Sequence, residues 1–207
     1  FQRVISALFA MVVGVTLTAG DASAQGQAPA IEQIRQRGTL RVGVSTFVPW
    51  AMRDTGGELI GFEIDVARKI AEDLNVRLEH VPTAWDGIIP ALIAGRFDVI
   101  ISGMSVTPQR QQTVDFTIPY ARSGQEIVAN RTLSPNLRTL QDLNAANVTV
   151  ACRRGVVACT FLTENLPRAT VRQFDDDAQA AQEVLNGRAN AWMASFPRPR
   201  FLALDNP

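Results

Sequence analysis

Residues 98–120, DVIISGMSVTPQRQQTVDFTIPY, hold the side chains best suited to grip a small anion. The run Val99, Ile100 and Ile101 is short and apolar, as expected of a strand buried on both faces. It gives way to Ser102, Gly103, Met104 and Ser105, mostly small residues that let a ligand approach the backbone closely. Thr107 has the type of a helix N-cap, and Pro108 that of a first helical residue. Arg110 falls in that first turn, beside the backbone N–H groups that a helix start leaves unpaired. Together these make a carboxylate trap. The helix end supplies donors and partial positive charge, and the guanidinium adds a bidentate fork. The same residues also fit an ordinary strand–helix turn with a surface Arg.

The elements that must position this trap alternate strand and helix, which predicts α/β layering. Residues 31–37 read as a short helix stopped by Gly38, and residues 39–44 as a first strand. The loop 45–50 presents Phe47 and Trp50 around Pro49, two aromatics able to wall a pocket at a strand end or to pack beneath it as core. Residues 62–75 form an amphipathic helix with Val66, Ala67, Ile70, Ala71 and Leu74 on its stripe. Glu63 and Asp65 suit its first turn, and Asp65 is spaced to pair with Lys69. A strand over 76–81 and a helix over 85–94, opened by Trp85 and stopped by Gly95, precede the trap. Residues 124–129 then read as a strand leaving this first layer.

The rest of the chain repeats the layering, with strands at 148–152, 170–174 and 189–194 and helices at 155–165, 176–186 and 197–204. Asp175, Asp176 and Asp177 stand at the positive end of the middle helix. Other candidate chemistry is thin. Glu63 and Asp65 could form an acid–base pair, but helix-start electrostatics explains them more simply. His80, the single histidine, has no metal or triad partner nearby and reads as structural. Cys152 and Cys159 are the only cysteines and show neither zinc spacing nor a partnered catalytic thiol. As an even pair in an exported chain they suggest a disulfide, against two buried thiols. No cofactor is implied.

Export follows from the first residues. Arg3 gives a positive start, residues 4–17 an apolar run, and Ala22-Ser23-Ala24 a small-residue cleavage site. The apolar run is shorter than the 18 or more residues expected of a membrane span. Formal net charge is zero, with 20 basic and 20 acidic residues, which argues against nucleic acid or an anionic membrane as partner.

Four segments carry a family resemblance: LRVGVSTFVPW, ELIGFEIDVARKIAEDL, TAWDGIIPALIAGRFDVIISGMSVTPQR and VDFTIPY. From Leu40 to about Ala194 the chain resembles the type II periplasmic amino-acid-binding proteins, family 3 of the extracellular solute-binding proteins. The resemblance implies an α/β, two-lobed type II periplasmic-binding-protein fold with hinged Rossmann-like lobes. It also implies a signal peptide over 1–24, a first lobe over 25–127 and a second over 128–207. Family members continue through a second hinge strand and closing helices, so the fold is expected to be C-terminally truncated.

The implied function is capture of a small carboxylate-bearing solute, an amino acid above all, by lobe closure in the periplasm, as a monomer delivering to a membrane ABC permease. Phe47 and Trp85 take the positions of ligand-flanking aromatics, Phe47 as contact and Trp50 as core. Arg110 holds the ligand carboxylate from the first lobe, where Gly103 and Ser105 also contact the ligand, and Gly155 and Val157 hold it from the second. The family's Gly-Thr-Thr-like segment is here Gly155-Val156-Val157, which leaves only backbone donors. The Asp that receives the ligand ammonium is replaced by Ser195. Asn190 offers only an amide, and Asp175–Asp177 is the rival source of a carboxylate. The alternative is an enzyme on the same scaffold, of the cyclohexadienyl or arogenate dehydratase kind, for which Glu63 and His80 are the only acids in view.

Overall fold

The computed structural model describes residues 30–207, so the predicted signal peptide and its cleavage site after Ala24 lie outside the described residues. Helix α1 (Ala30–Arg37) leads into β1 (Thr39–Val44), whose apolar residues fill the middle of a three-stranded parallel sheet. Strand β4 (Arg77–Pro82) pairs along all of β1 on one side, and β5 (Val99–Ile100) pairs with Val42 and Gly43 on the other. A short hairpin, β2 (Met52–Arg53) with β3 (Leu59–Ile60), follows the aromatic loop. The connecting helices are α2 (Phe62–Leu74), α3 (Ile88–Ile93) and α4 (Pro108–Gln111).

The second sheet has the order β6-β9-β7-β8. Strands β7 (Thr149–Arg153), β8 (Thr170–Phe174) and β9 (Ala191–Ser195) are parallel, and β6 (Gln125–Ala129) runs antiparallel to β9. Helices α5 (Val157–Asn165), α6 (Asp177–Leu185) and α7 (Arg198–Asp205) complete this layer. Each sheet has its own apolar clusters, one around Leu40, Val42 and Ala67, the other around Val150, Leu162 and Met193. The result is a mixed α/β fold with two lobes. Because β6 is bonded to β9 from Gln125 to Ala129, the sequence boundary at 127/128 passes through a strand of the second sheet. Among the described residues no helix is long and apolar enough to cross a membrane.

Several local expectations are corrected. The trap strand is not buried on both faces: Val99 and Ile100 are half-buried, because β5 has only β1 as a sheet neighbour. The buried face of α2 is Glu63, Ile64, Ala67 and Ala71, and Ile70 is 39% exposed. The helix is thus rotated about its axis, turning Glu63 inward. Asp65 pairs with Arg68 at 2.6 Å, three residues on, and Lys69 pairs with Asp73 instead. Both spacings make helix-surface neighbours, so sequence distance alone does not choose between them.

Cys152, at the end of β7, is bonded to Cys159 in the first turn of α5, with Cα atoms 5.6 Å apart. The bridge closes the loop that carries Arg153 and Gly155. Cys159→Ser should lower stability by about 2–3 kcal/mol, the scale for a short cross-linked loop, in denaturant unfolding. Alkylation of the exported protein without reduction should label neither thiol. Two labelled cysteines would remove the bridge from this account.

Candidate functional site

The trap folds as its residues require. The Thr107 hydroxyl accepts the Arg110 backbone N–H at 3.2 Å, and Pro108 occupies the first helical position. The Arg110 side chain turns back, Nη1 donating to the Ser105 carbonyl at 2.8 Å. Its Nη2 reaches across to the second lobe and donates to the Gly155 carbonyl at 3.1 Å. Trp85 Nε1 donates to that same carbonyl at 3.1 Å, which fixes the indole beside the guanidinium. Arg110 is therefore no free surface side chain. Burial lowers its pKa, yet an Arg keeps its charge in proteins, so it stands as a partly desolvated cation short of an anion.

One cavity between the lobes is lined by Phe47, Trp85, Gly103, Ser105, Arg110, Val157 and Ser195. All eight positions expected to bind ligand meet here, since Gly155 joins through its carbonyl. Gly103 has φ +60, and a Cβ there would stand 2.4 Å from Phe47 Cζ. A side chain at this point would push the aromatic ring out of the cleft. Ser195 ends β9, and its Oγ accepts from Gln125 Nε2 at 3.2 Å.

Two charged residues also line the cavity: Arg153, which sequence reasoning missed, and Asp177, which it offered only as one of three acids that could stand in for the absent carboxylate. Arg153 ends β7 and is 5% exposed. Its Nη2 donates to Ser45 Oγ at 2.8 Å and its Nη1 to the Thr46 carbonyl at 3.1 Å, both in the first lobe. The signal was an Arg closing the otherwise apolar run VAC, two residues before Gly155. Asp177, the third acid of its run, begins α6, and burial pushes its carboxyl up while Arg153 and Arg198 pull it down. Asp176 is the N-cap instead, its Oδ1 accepting from Gln179 N–H at 2.8 Å.

A second, larger cleft adjoins the first and is lined by Trp50, Glu63, Tyr120 and Arg122 among others. Trp50 is not core. Its Nε1 donates to the Phe196 carbonyl of the second lobe at 2.9 Å, and its ring meets Phe62 edge-on at 5.6 Å. An indole N–H usually finds a partner, and that of Trp50 finds it across the cleft. The Tyr120 hydroxyl donates to Glu63 Oε2 at 2.6 Å, and burial is the main force raising both groups. His80 lines neither cavity, and burial, aided by Arg68, lowers it. Among the described residues no cluster of His, Cys, Asp and Glu is fit to hold a metal.

The Glu63 shift has a sign that can be checked. Its folded form holds the proton more tightly than the unfolded chain, so its stabilisation is complete below the ordinary value of 4.5 and is lost as pH rises through the raised value. Glu63→Gln stays neutral. The melting temperature of the parent should therefore fall relative to that of the variant as pH climbs from 4.5 towards neutrality. Parallel curves would show that Glu63 titrates as an exposed acid.

Comparison with known proteins places this geometry. Residues 40–195 match the model of bacterial extracellular solute-binding proteins, family 3. The L-cystine-binding protein TcyJ of Escherichia coli strain K12 is 31% identical over 176 residues, covering 84% of this chain and 64% of that protein. The chain thus spans less than two thirds of that relative's length. The cyclohexadienyl dehydratase of Pseudomonas aeruginosa is 28% identical over 208 residues, covering 100% of this chain and 76% of the enzyme. The crystal structure of the ancestral amino acid-binding protein AncCDT-1, a precursor of cyclohexadienyl dehydratase, superposes with a TM-score of 0.81 at 41% identity, covering 85% of this chain and 79% of that one.

Proposed function

The chain belongs to the bacterial extracellular solute-binding proteins, family 3, and from that we propose that it captures a small carboxylate-bearing solute, an amino acid, between its two lobes. The observation that carries the reading is Arg110, a partly buried guanidinium on a helix start, reaching across the cleft to Gly155. A ligand that contacts both lobes favours the closed arrangement by its differential affinity for it, and no covalent step is needed. Closure would be the signal read by a membrane ABC permease. The protein would work in the periplasm as a monomer after cleavage behind Ala24, with no cofactor and no nucleic-acid partner. Ligand-binding calorimetry of the chain against amino acids and simple carboxylic acids tests this. Micromolar or tighter binding of an amino acid supports it, and silence across the panel overturns it.

One finding favours a second reading, a dehydratase-like enzyme: the overlap with the Pseudomonas aeruginosa dehydratase extends over 100% of this chain. Such an enzyme needs a placed general acid. Of the two candidates in the sequence, Glu63 faces a cleft with a raised pKa and His80 does not face one. Turnover of prephenate or arogenate that disappears in Glu63→Gln would establish the enzyme. Binding without turnover leaves the transport reading in place.

A further inference from the structure

The cavity holds more charge than a single ligand carboxylate requires. Arg110 enters it from α4, Arg153 from the end of β7 and Asp177 from the start of α6. Both cations lie over the Trp85 ring, their guanidinium carbons 5.5 and 5.7 Å from its centroid. Arg153 is 95% removed from solvent, at 5% exposure, and its Nε is buried with no hydrogen-bond partner among the described residues. Asp177 does not meet that need. Its Oδ2 stands 3.9 Å from Arg153 Nη1, beyond hydrogen-bond distance. Neither neighbouring acid bonds Arg153, although the charges of Asp176 and Asp86 act on it from farther off. Asp175 faces Arg154 at 3.4 Å, and Asp176 caps its helix.

Two guanidiniums and one carboxylate leave the cavity one positive charge in excess. A ligand with two carboxylates and one ammonium matches them one for one and carries the opposite excess. A neutral α-amino acid would leave one buried cation without an anion, which is the costly arrangement for a desolvated charge. Resting on the solute-binding reading above, we propose that the ligand is an α-amino dicarboxylate, held by Arg110 and Arg153 through its carboxylates and by Asp177 through its ammonium. Ser195 then needs no charge, because the carboxylate that receives the amine has moved from the end of β9 to the start of α6. Arg153 bridges to Ser45 and Thr46 only when the lobes are together, so its ligand contact belongs to the closed form and drives closure.

Calorimetry of the whole chain with L-glutamate, L-aspartate, their amides glutamine and asparagine, and glutarate tests the assignment. The amino diacids should bind at least about 30-fold more tightly than their amides, the lower scale for an unpaired buried charge. Arg153→Gln should erase that preference, and Arg153→Lys, which keeps the charge, should retain part of it. Asp177→Asn should lower glutamate affinity while leaving glutarate unharmed, so that the two converge. Thermal unfolding of each variant confirms that it is folded. Glutamine binding as tightly as glutamate overturns this inference and leaves the solute-binding function standing. Failure of every amino acid and acid to bind overturns both.

Discussion

Arg110→Ala should weaken ligand binding by about 2–5 kcal/mol, the range for removing one partner of a desolvated charge pair. The effect should appear in calorimetry as a loss of affinity, with thermal stability nearly unchanged. The separation is physical. The helix start is capped by the Thr107 hydroxyl on the Arg110 backbone N–H, which the substitution leaves in place. What disappears is the guanidinium, with its bonds to the Ser105 and Gly155 carbonyls. Those carbonyls lie beside the open cleft and can turn to water, so little folding energy is lost with them. Arg110→Lys keeps the charge but not the planar fork, and should recover only part of the affinity. Unchanged binding in Arg110→Ala would place the carboxylate elsewhere, with Arg153 as the first candidate.

Trp192→Ala should cost about 3–5 kcal/mol of stability, the scale for emptying a buried aromatic site. Trp192 is fully buried in β9, packed with Ala151, Ala180, Ala181, Val184 and Ala194 between the second sheet and α6. Its neighbours are mostly alanines, which are too short to close the space left behind. Trp192→Phe is the informative companion. The indole Nε1 is buried without a hydrogen-bond partner among the described residues, so the tryptophan already carries an unsatisfied donor. Removing that donor offsets part of the lost volume, on the order of 1–3 kcal/mol, and the phenylalanine variant should fall well short of the alanine loss. Guanidinium unfolding of the two variants decides it. Equal losses would mean that the indole N–H is satisfied in solution. Because β9 ends in Ser195, the alanine variant should also loosen the second-lobe wall of the cavity and weaken ligand binding.

The fold of the Arg110 turn was readable because its logic is local. Small residues at a strand end, a Thr and a Pro at a helix start, and an Arg in the first turn each answer to neighbours a few residues away, and the Thr107 cap forms as expected. The strand at Thr39–Val44 was equally plain, since an apolar run bounded by Gly38 and a loop has few other homes. The family resemblance carried Val157 and Ser195 into the site, and for Phe47 and Trp85 it chose the pocket wall that local pattern had only allowed. Local pattern failed on α2. Its stripe was drawn through Ile70, whereas the helix rotates Glu63 and Ile64 inward towards the cleft.

By itself, then, the sequence determined two α/β layers and a Thr-capped helix start carrying Arg110, and it suggested without deciding that the two cysteines are bridged. Only the tertiary structure decided that Arg153 and Asp177 belong to the site. Arg153 takes its partners from Ser45 and Thr46, more than 100 residues earlier in the chain, and Asp177 differs from its two acidic neighbours only in the direction it faces at the start of α6. The reason is that a charge acquires its strength from desolvation. Water is excluded from these groups only where the two lobes meet, and no window along the chain contains both sides of that meeting.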